Sequence, residues 1–349
     1  MLMNSAYQTA DQPTSIAGIY EACIGTPDPI SQVQYWEKFG YRIGQIGELG
    51  AIEANKLYGV NSSLHSIRLY HQDSDHGLVR LMIWETPTNE GLQMSSMKVK
   101  GNRWVTTLTA DVLNILNHVE DAIAANFPIK YTFPQWAVIY NKDRKTHPFV
   151  EPAIGVREMM LLQPFTRQIL FERFNYTIPN YGKINESVPF KSSQITHMGT
   201  VIQDDSKETM RFYEEVLGLL RARDDIETTY ESSTAARHFF GIQPDERFLV
   251  TDFDDPRSSK TDFNAVHSGR LHILRFPDSI TLEKRFNETR PGCLGLSLYT
   301  YRVGGIEAYF HRVKASNAQQ VTEITSNEFG EKSFSFIAPD GYFWTLISK

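Results

Sequence analysis

The chain has 349 residues, which as a soft expectation means two domains, and a net charge of −6 that speaks against nucleic-acid or anionic-membrane partners, both of which call for a concentrated basic face. With 41% hydrophobic and 22% charged residues it can bury sizeable cores, and two cysteines, Cys23 and Cys293, are too few for a disulfide framework or a cysteine zinc site. No apolar run approaches the ~20 residues of a membrane helix, and the first residues lack the charged start and apolar centre of a signal peptide, so a cytoplasmic protein is expected.

A polar tail runs to about Thr14. Ile16 to Ile24 then reads as a strand, and Thr26-Pro27-Asp28-Pro29 as a turn in which Asp28 caps a helix with Pro29 at its first position. Ile30, Val33, Tyr35, Trp36 and Phe39 recur at helical spacing up to Gly40, and apolar runs at Tyr41 to Ile46, Leu64 to Tyr70 and Leu78 to Glu85 predict three strands. A second unit has a strand at Trp104 to Thr109, a helix over VLNILNHVEDAIAAN, and strands near Gln135 to Tyr140 and Val156 to Leu162. Phe165 to Ser193 reads as a long connection, and the domain boundary is placed there. The third unit repeats the first, with a strand at Gln194 to Ile202, a cap at Asp204-Asp205 and the amphipathic helix ETMRFYEEVLGLL. Its strands are predicted at Ala236 to Phe240, Arg247 to Asp252 and Arg270 to Phe276. The fourth has a strand at Cys293 to Thr300, a helix over IEAYFHRVKAS, and strands near Gln320 to Ile324, Lys332 to Ile337 and Tyr342 to Ile347. Glu21 and His197 on the opening strands and Trp36 and Tyr213 on the helices keep nearly one offset along the chain, so the four units form a duplicated pair of βαβββ modules.

Two stretches carry a family resemblance. Ile195-Thr196-His197-Met198-Gly199-Thr200-Val201, followed by Arg211-Phe212-Tyr213-Glu214-Glu215-Val216-Leu217-Gly218-Leu219, resembles the opening strand and helix of a vicinal oxygen chelate module, as found in glyoxalases, bleomycin-resistance proteins and extradiol dioxygenases. Phe329-Gly330 with Phe334-Ser335-Phe336-Ile337-Ala338-Pro339-Asp340-Gly341-Tyr342-Phe343-Trp344 resembles that family's closing hairpin. The resemblance implies an α+β fold in which four modules pair into two cup-shaped, half-barrel lobes. The lobes are placed at 15–165 and 194–349 with a linker over 166–193, and the carboxyl-terminal lobe is taken as the working one. One module leaves the concave face of its sheet bare, so modules pair to close around a cavity. In the family, His or Glu on the first and last strands binds a divalent metal that polarises vicinal oxygens of a substrate.

Carried over position by position, the first-strand ligand falls at His197 in the third module and at Glu21 in the first, with Trp104 and Gly295 in the other two. Four residues after each hairpin glycine, where the family has Glu, stand Thr345, Met159, Ile273 and Leu81. The usual ligand set is not present, and an iron, manganese, zinc or nickel ion finds only His197 in place. His272 and Glu158 lie one residue from two of these positions, but alternation sends them to the opposite face unless a bulge intervenes.

His197 reads either as a ligand or general base, or as a hydrogen-bonded strand histidine. Glu21 is a carboxylate in an apolar strand; it has a partner such as Arg80, or it works as a base of raised pKa. Arg270 repeats Arg80, as an ion pair or an anion contact. Trp104 reads as a stacking wall in the space a metal leaves, and Trp84 and Thr345 complete the candidate ligand-binding set. Three functions stay open: a glyoxalase- or dioxygenase-type enzyme acting on a small apolar or aromatic metabolite, a metal-free protein that sequesters such a ligand, and an interaction protein whose cups have filled with side chains. The expected partner is a small molecule, with no nucleic acid or membrane, and the chain a monomer or homodimer.

Overall fold

The computed structural model describes residues 14–141, 153–203 and 207–349; the polar tail and the cap expected at Asp204-Asp205 lie outside the described residues. The first module runs β1 (Ser15–Gly25), α1 (Pro29–Lys38), β2 (Tyr41–Leu49), α2 (Ala51–Tyr58), β3 (Leu64–His71) and β4 (Leu78–Trp84). The second runs β5 (Arg103–Thr109), α3 (Val112–Ala124), β6 (Lys130–Tyr131), β7 (Gln135–Asn141), β8 (Ala153–Leu162) and β9 (Arg167–Phe174). The third has β10 (Ser192–Gln203), α4 (Lys207–Arg211) continued by a π-helical turn over Phe212–Val216, β11 (Leu220–Thr229), α5 (Thr234–Phe240), β12 (Arg247–Asp254) and β13 (Arg270–Phe276). The fourth has β14 (Gly295–Gly304), α6 (Ile306–Lys314), β15 (Thr325–Ser326), β16 (Lys332–Ile337) and β17 (Phe343–Ser348).

Local chemistry sets the helices. The Asp28 carboxylate accepts from the Ser31 backbone N–H at 3.1 Å ahead of Pro29, and Asp111 does the same for Asn114 at 2.9 Å. In α3, Val112, Ile115 and Val119 recur at helical spacing on the buried face. The predicted strand at Ala236 to Phe240 is instead α5, started by the Ser233 hydroxyl accepting from the Ala236 N–H at 3.1 Å. The strand of that module that was not foreseen is β11, whose sequence LRARDDIETT is too charged to alternate visibly. Gln320 to Ile324 forms no strand; the short β15 follows it.

Two sheets result. One has the order β15-β16-β17-β14-β1-β4-β3-β2, the other β11-β12-β13-β10-β5-β9-β8-β6, with β7 also paired to β8. The chain thus forms two sheets of two modules each, but the pairing is crossed: the first module joins the fourth and the second joins the third. β1 lies antiparallel to β14, with Glu21 opposite Thr300, and β10 antiparallel to β5, with His197 opposite Thr106. The lobes are therefore not the consecutive segments 15–165 and 194–349, and the supposed linker 166–193 contains β9, the fourth strand of the second module. Modules built on one grammar present alike first-strand edges, so sequence periodicity does not say which edges meet.

One apolar cluster joins a face of each sheet to the helices, holding Trp36, Val105, Ile115, Ile195, Tyr213, Ile273, Phe334 and Trp344. Buried tyrosines tie the sheets together. The Tyr299 hydroxyl lies 2.7 Å from the Trp104 carbonyl and 3.0 Å from that of Gly199, and the Tyr342 hydroxyl accepts from the Val201 N–H at 2.9 Å. At Gly18 a side chain would fall 2.7 Å from the Gly269 Cα, so the two backbones touch there. Cys23 and Cys293 are free and buried. No helix among the described residues is long and apolar enough to cross a membrane.

Candidate functional site

The other face of the sheet made by the second and third modules encloses a cavity of about 820 Å³. Period-two alternation supplies its polar groups. On β10, His197 turns to the cavity while Met198 belongs to the core behind, and a register shift between Ile195 and His197 puts Ile195 on that core face too; on β13, Arg270, His272 and Leu274 turn in while Leu271 and Ile273 turn back. On β8, Glu158 lines the cavity and Met159 is core. His272 and Glu158, expected on the far face, are thus the inward residues without any bulge, and the positions counted from the hairpin glycine were one residue out.

His272 is held by a carboxylate. Its Nδ1 lies 2.6 Å from Asp252 Oδ1, and the same carboxylate meets Arg223 Nε at 2.7 Å and an Arg270 guanidinium nitrogen at 3.1 Å. Burial works to raise the Asp252 pKa, but His272, Arg270 and Arg223 outweigh it and hold the group ionised. An ionised carboxylate only accepts, so Nδ1 of His272 donates to Asp252, and in the neutral ring the lone pair is then on Nε2. Arg270 also binds Asp254, at 2.5 and 3.0 Å.

His197 sits 6.1 Å from His272 between ring centroids, packs on Phe171 and Tyr181, and has Nδ1 3.2 Å from both the Tyr181 and the Thr196 hydroxyls. Burial, with the neighbouring His272 and Arg270, pushes its pKa well down, so the ring is neutral. Burial alone raises the Glu158 carboxyl to about 7. Trp104 lies across the cavity floor, its ring 5.1 Å from Phe240 and 6.1 Å from His272. It overlies Gly199, where a Cβ would fall 1.9 Å from the indole.

These residues do not fit a divalent metal. Directly opposite His197 on β5 stands Thr106, and the second module's fourth strand presents Phe171, so the first and last strands of this module supply no strong donor, and its carboxylate in the cavity, Glu158, stands on β8 instead. Among the described residues no three His, Cys, Asp or Glu side chains converge as a metal site.

Of the residues singled out from the sequence, His197, Trp104 and Arg270 meet in this cavity. Glu21, Arg80, Thr345 and Trp84 do not: all four lie in the other sheet. Glu21 is fully buried, bonded by Arg68 Nε at 2.5 Å, by an Arg80 guanidinium nitrogen and by the Thr300 hydroxyl at 2.8 Å. Arg68 and Arg80 draw its pKa down to about 2 against the opposing effect of burial, so it is no base of raised pKa. Arg80 also pairs with Glu328 at 3.0 Å, Thr345 meets the Ser335 hydroxyl at 2.8 Å, and Trp84 packs edge-on against Tyr58. Residues not foreseen are Asp252, Tyr181 and Arg173. Arg173 lies in the stretch read as a connection, where the signal for a strand is the short apolar run Ile169-Leu170-Phe171 rather than any alternation.

Comparison with known proteins places these observations. Residues 194–346 match the family model of the Glyoxalase/Bleomycin resistance protein/Dioxygenase superfamily. Glyoxalase I from Zea mays is similar in fold over 96% of this chain and 93% of its own, with a TM-score of 0.53 at 11% identity. A putative dioxygenase from Bacillus subtilis is similar over 96% of this chain and 86% of its own, with a TM-score of 0.53 at 10% identity. No curated protein sequence matches the chain. The third and fourth modules thus match the glyoxalase, bleomycin resistance and dioxygenase superfamily, and the chain as a whole is similar in fold to glyoxalase I from Zea mays.

Proposed function

We propose that the cavity between the second and third modules is a small-molecule site that works without a resident metal, and that His272 is its general base. The observation that carries this is the His272–Asp252 pair on the wall of an otherwise largely aromatic and aliphatic cavity, where among the described residues no three His, Cys, Asp or Glu side chains converge. Asp252 fixes the tautomer and stabilises the imidazolium that forms when Nε2 takes a proton. Glu158, with a carboxyl titrating near neutrality, can return a proton to a bound molecule. The reaction class that suits such groups is proton abstraction and return, as in an isomerase or lyase acting on a small apolar or aromatic metabolite.

A second reading, ligand binding without turnover, is favoured by the amount of aromatic and aliphatic wall: Trp104, Phe171, Phe239, Phe240 and Phe248 all line the space. Metal analysis of protein purified without added ions tests what both readings share. Substoichiometric metal, and ligand binding unchanged by chelator, is the expected result; one tightly held ion per chain that disappears in His197→Ala would overturn it. Once a ligand released on denaturation has been identified by mass spectrometry, its turnover in His272→Gln separates the readings, since binding alone would survive while proton transfer would not.

A further inference from the structure

The cavity holds a guanidinium that no carboxylate among the described residues neutralises. Arg173, on β9, lines it, and among the described residues no carboxylate forms an ion pair with this side chain. Its Nε is buried without a hydrogen-bond partner. What surrounds the head group is aromatic: the guanidinium carbon lies 5.3 Å from the ring centre of Tyr181 and 5.5 Å from those of Phe171 and Tyr176. The rings hold the guanidinium in place and the Tyr176 hydroxyl accepts one of its hydrogen bonds, while Nε stays unmet. A partly buried cation with an unmet donor is costly to keep, and a fold that keeps one beside a cavity of this size leaves the compensation to whatever fills it.

The charges around Arg173 give the sign and number of the missing group. Arg223 and Arg270 also face the cavity, but Asp252 and Asp254 match them. What remains is Arg173, the exposed Lys260 and Glu158, which is only partly ionised at neutral pH. Within a chain of net charge −6 this pocket is locally cationic, with one enclosed guanidinium unmatched. A single fork accommodates a planar monoanion in bidentate fashion, which is carboxylate geometry. The walls elsewhere are apolar.

We propose that the ligand of this cavity is a monoanionic carboxylate on an aryl or alkyl body, its carboxylate held by Arg173 and its body lying along Trp104 toward His272. This rests on the cavity being a small-molecule site and adds the class of molecule. Arg173 is then a specificity-determining residue that sets which end of the ligand is presented to His272. Arg173 is the outer anchor and His272 the reactive end.

Calorimetric titration of the full-length chain at neutral pH with 2-naphthoate and with 2-naphthamide, the same body with and without the charge, tests this. The wild type is expected to bind naphthoate about tenfold or more tightly than naphthamide, the size of one charge-assisted bond. Arg173→Gln should abolish that preference and leave naphthamide affinity in place, which also shows that the variant is folded. Arg173→Lys should keep part of the preference, and Arg157→Gln, a charge removal outside the cavity, all of it. Equal affinity for the two probes in the wild type, or an undiminished preference in Arg173→Gln, would overturn the carboxylate assignment while leaving the cavity as a binding site. Failure of both probes to bind would overturn the two together.

Discussion

The two sheets place different chemistry at positions that correspond strand for strand. Glu21 and His197 occupy the same place on β1 and β10, opposite Thr300 and Thr106 respectively. Arg80 on β4 pairs in register with Cys23 as His272 on β13 pairs with Gly199, and Arg68 lies opposite Arg80 as Asp252 lies opposite His272. One cup therefore reads Glu, Arg, Arg and the other His, His, Asp. In the first, Phe329 lies with its ring centre 4.0 Å from the Arg68 guanidinium carbon, Glu328 bonds Arg80, Tyr58 and Ser66, and Glu331 bonds Arg68 at 2.7 Å. The charges are paired within the chain and the concave face is filled by the chain itself. In the second, the same face keeps about 820 Å³ and a guanidinium that no carboxylate among the described residues pairs. The comparison teaches that the cup is a neutral scaffold: whether it becomes core or site depends on whether its inward charges find partners within the chain. The reading of such a protein as filled with side chains holds for one sheet and fails for the other.

The sharpest way to break that comparison is to take a charge from the filled cup. Glu21→Ala strands Arg68 and Arg80 in a fully buried setting and should cost about 3–5 kcal/mol. Urea denaturation measures this, and ligand binding by the folded fraction should be unchanged, because the other cup shares none of these groups. A loss under 1 kcal/mol, or a selective loss of binding, would mean that Glu21 is not the structural anion its geometry describes.

The same kind of substitution in the second cup should act in the opposite direction. Burial lifts Glu158 from the ordinary 4.5 to about 7, so between those pH values the folded chain binds a proton that the unfolded chain releases. Folding stability therefore declines as pH rises through that window and is flat above it. Glu158→Gln removes the decline. It should be more stable than the wild type at pH 8 by at most about 3 kcal/mol, relative to their difference at pH 4. Unfolding curves at the two pH values check the sign: an advantage that grows toward acid pH would show that Glu158 is a paired carboxylate after all.

What the sequence disclosed follows from where alternation is visible. β1, β10 and β14 are long, mostly buried strands each followed by a helix, and Asp28 and Asp111 cap the helices after β1 and β5, so four modules could be counted. β11 is mostly exposed on one face and carries Arg221, Arg223, Asp224, Asp225 and Glu227, which erases the apolar half of the signal. α5 is too short for 3.6-residue periodicity to be told from a buried strand. Taking β9 for a connection removed Arg173 from view, and counting from the glycine rather than from the first inward residue put His272 and Glu158 on the wrong face. The crossing of modules was not legible at all, since it depends on shape at the sheet edges.

The smallest contrast concerns the cavity floor. Cys23 faces Leu298 across β1 and β14, whereas the registered pair across β10 and β5 is Gly199 and Trp104, a smaller residue against a larger one. Gly199 has no Cβ because the indole stands where one would be, and Trp104 is 1% exposed with Phe240 and His272 around it. Gly199→Ala must push the ring toward the cavity, and overpacking of this kind should cost about 1–2 kcal/mol and weaken ligand binding. If the two cups differ here only in how a fixed volume is divided, Trp104→Leu in the Gly199→Ala background should recover most of that stability, copying the Cys23–Leu298 arrangement. A double-mutant cycle in urea measures the coupling: recovery means that the indole is a space-filling floor, whereas a double variant less stable than Gly199→Ala would show that the ring supplies more than its volume.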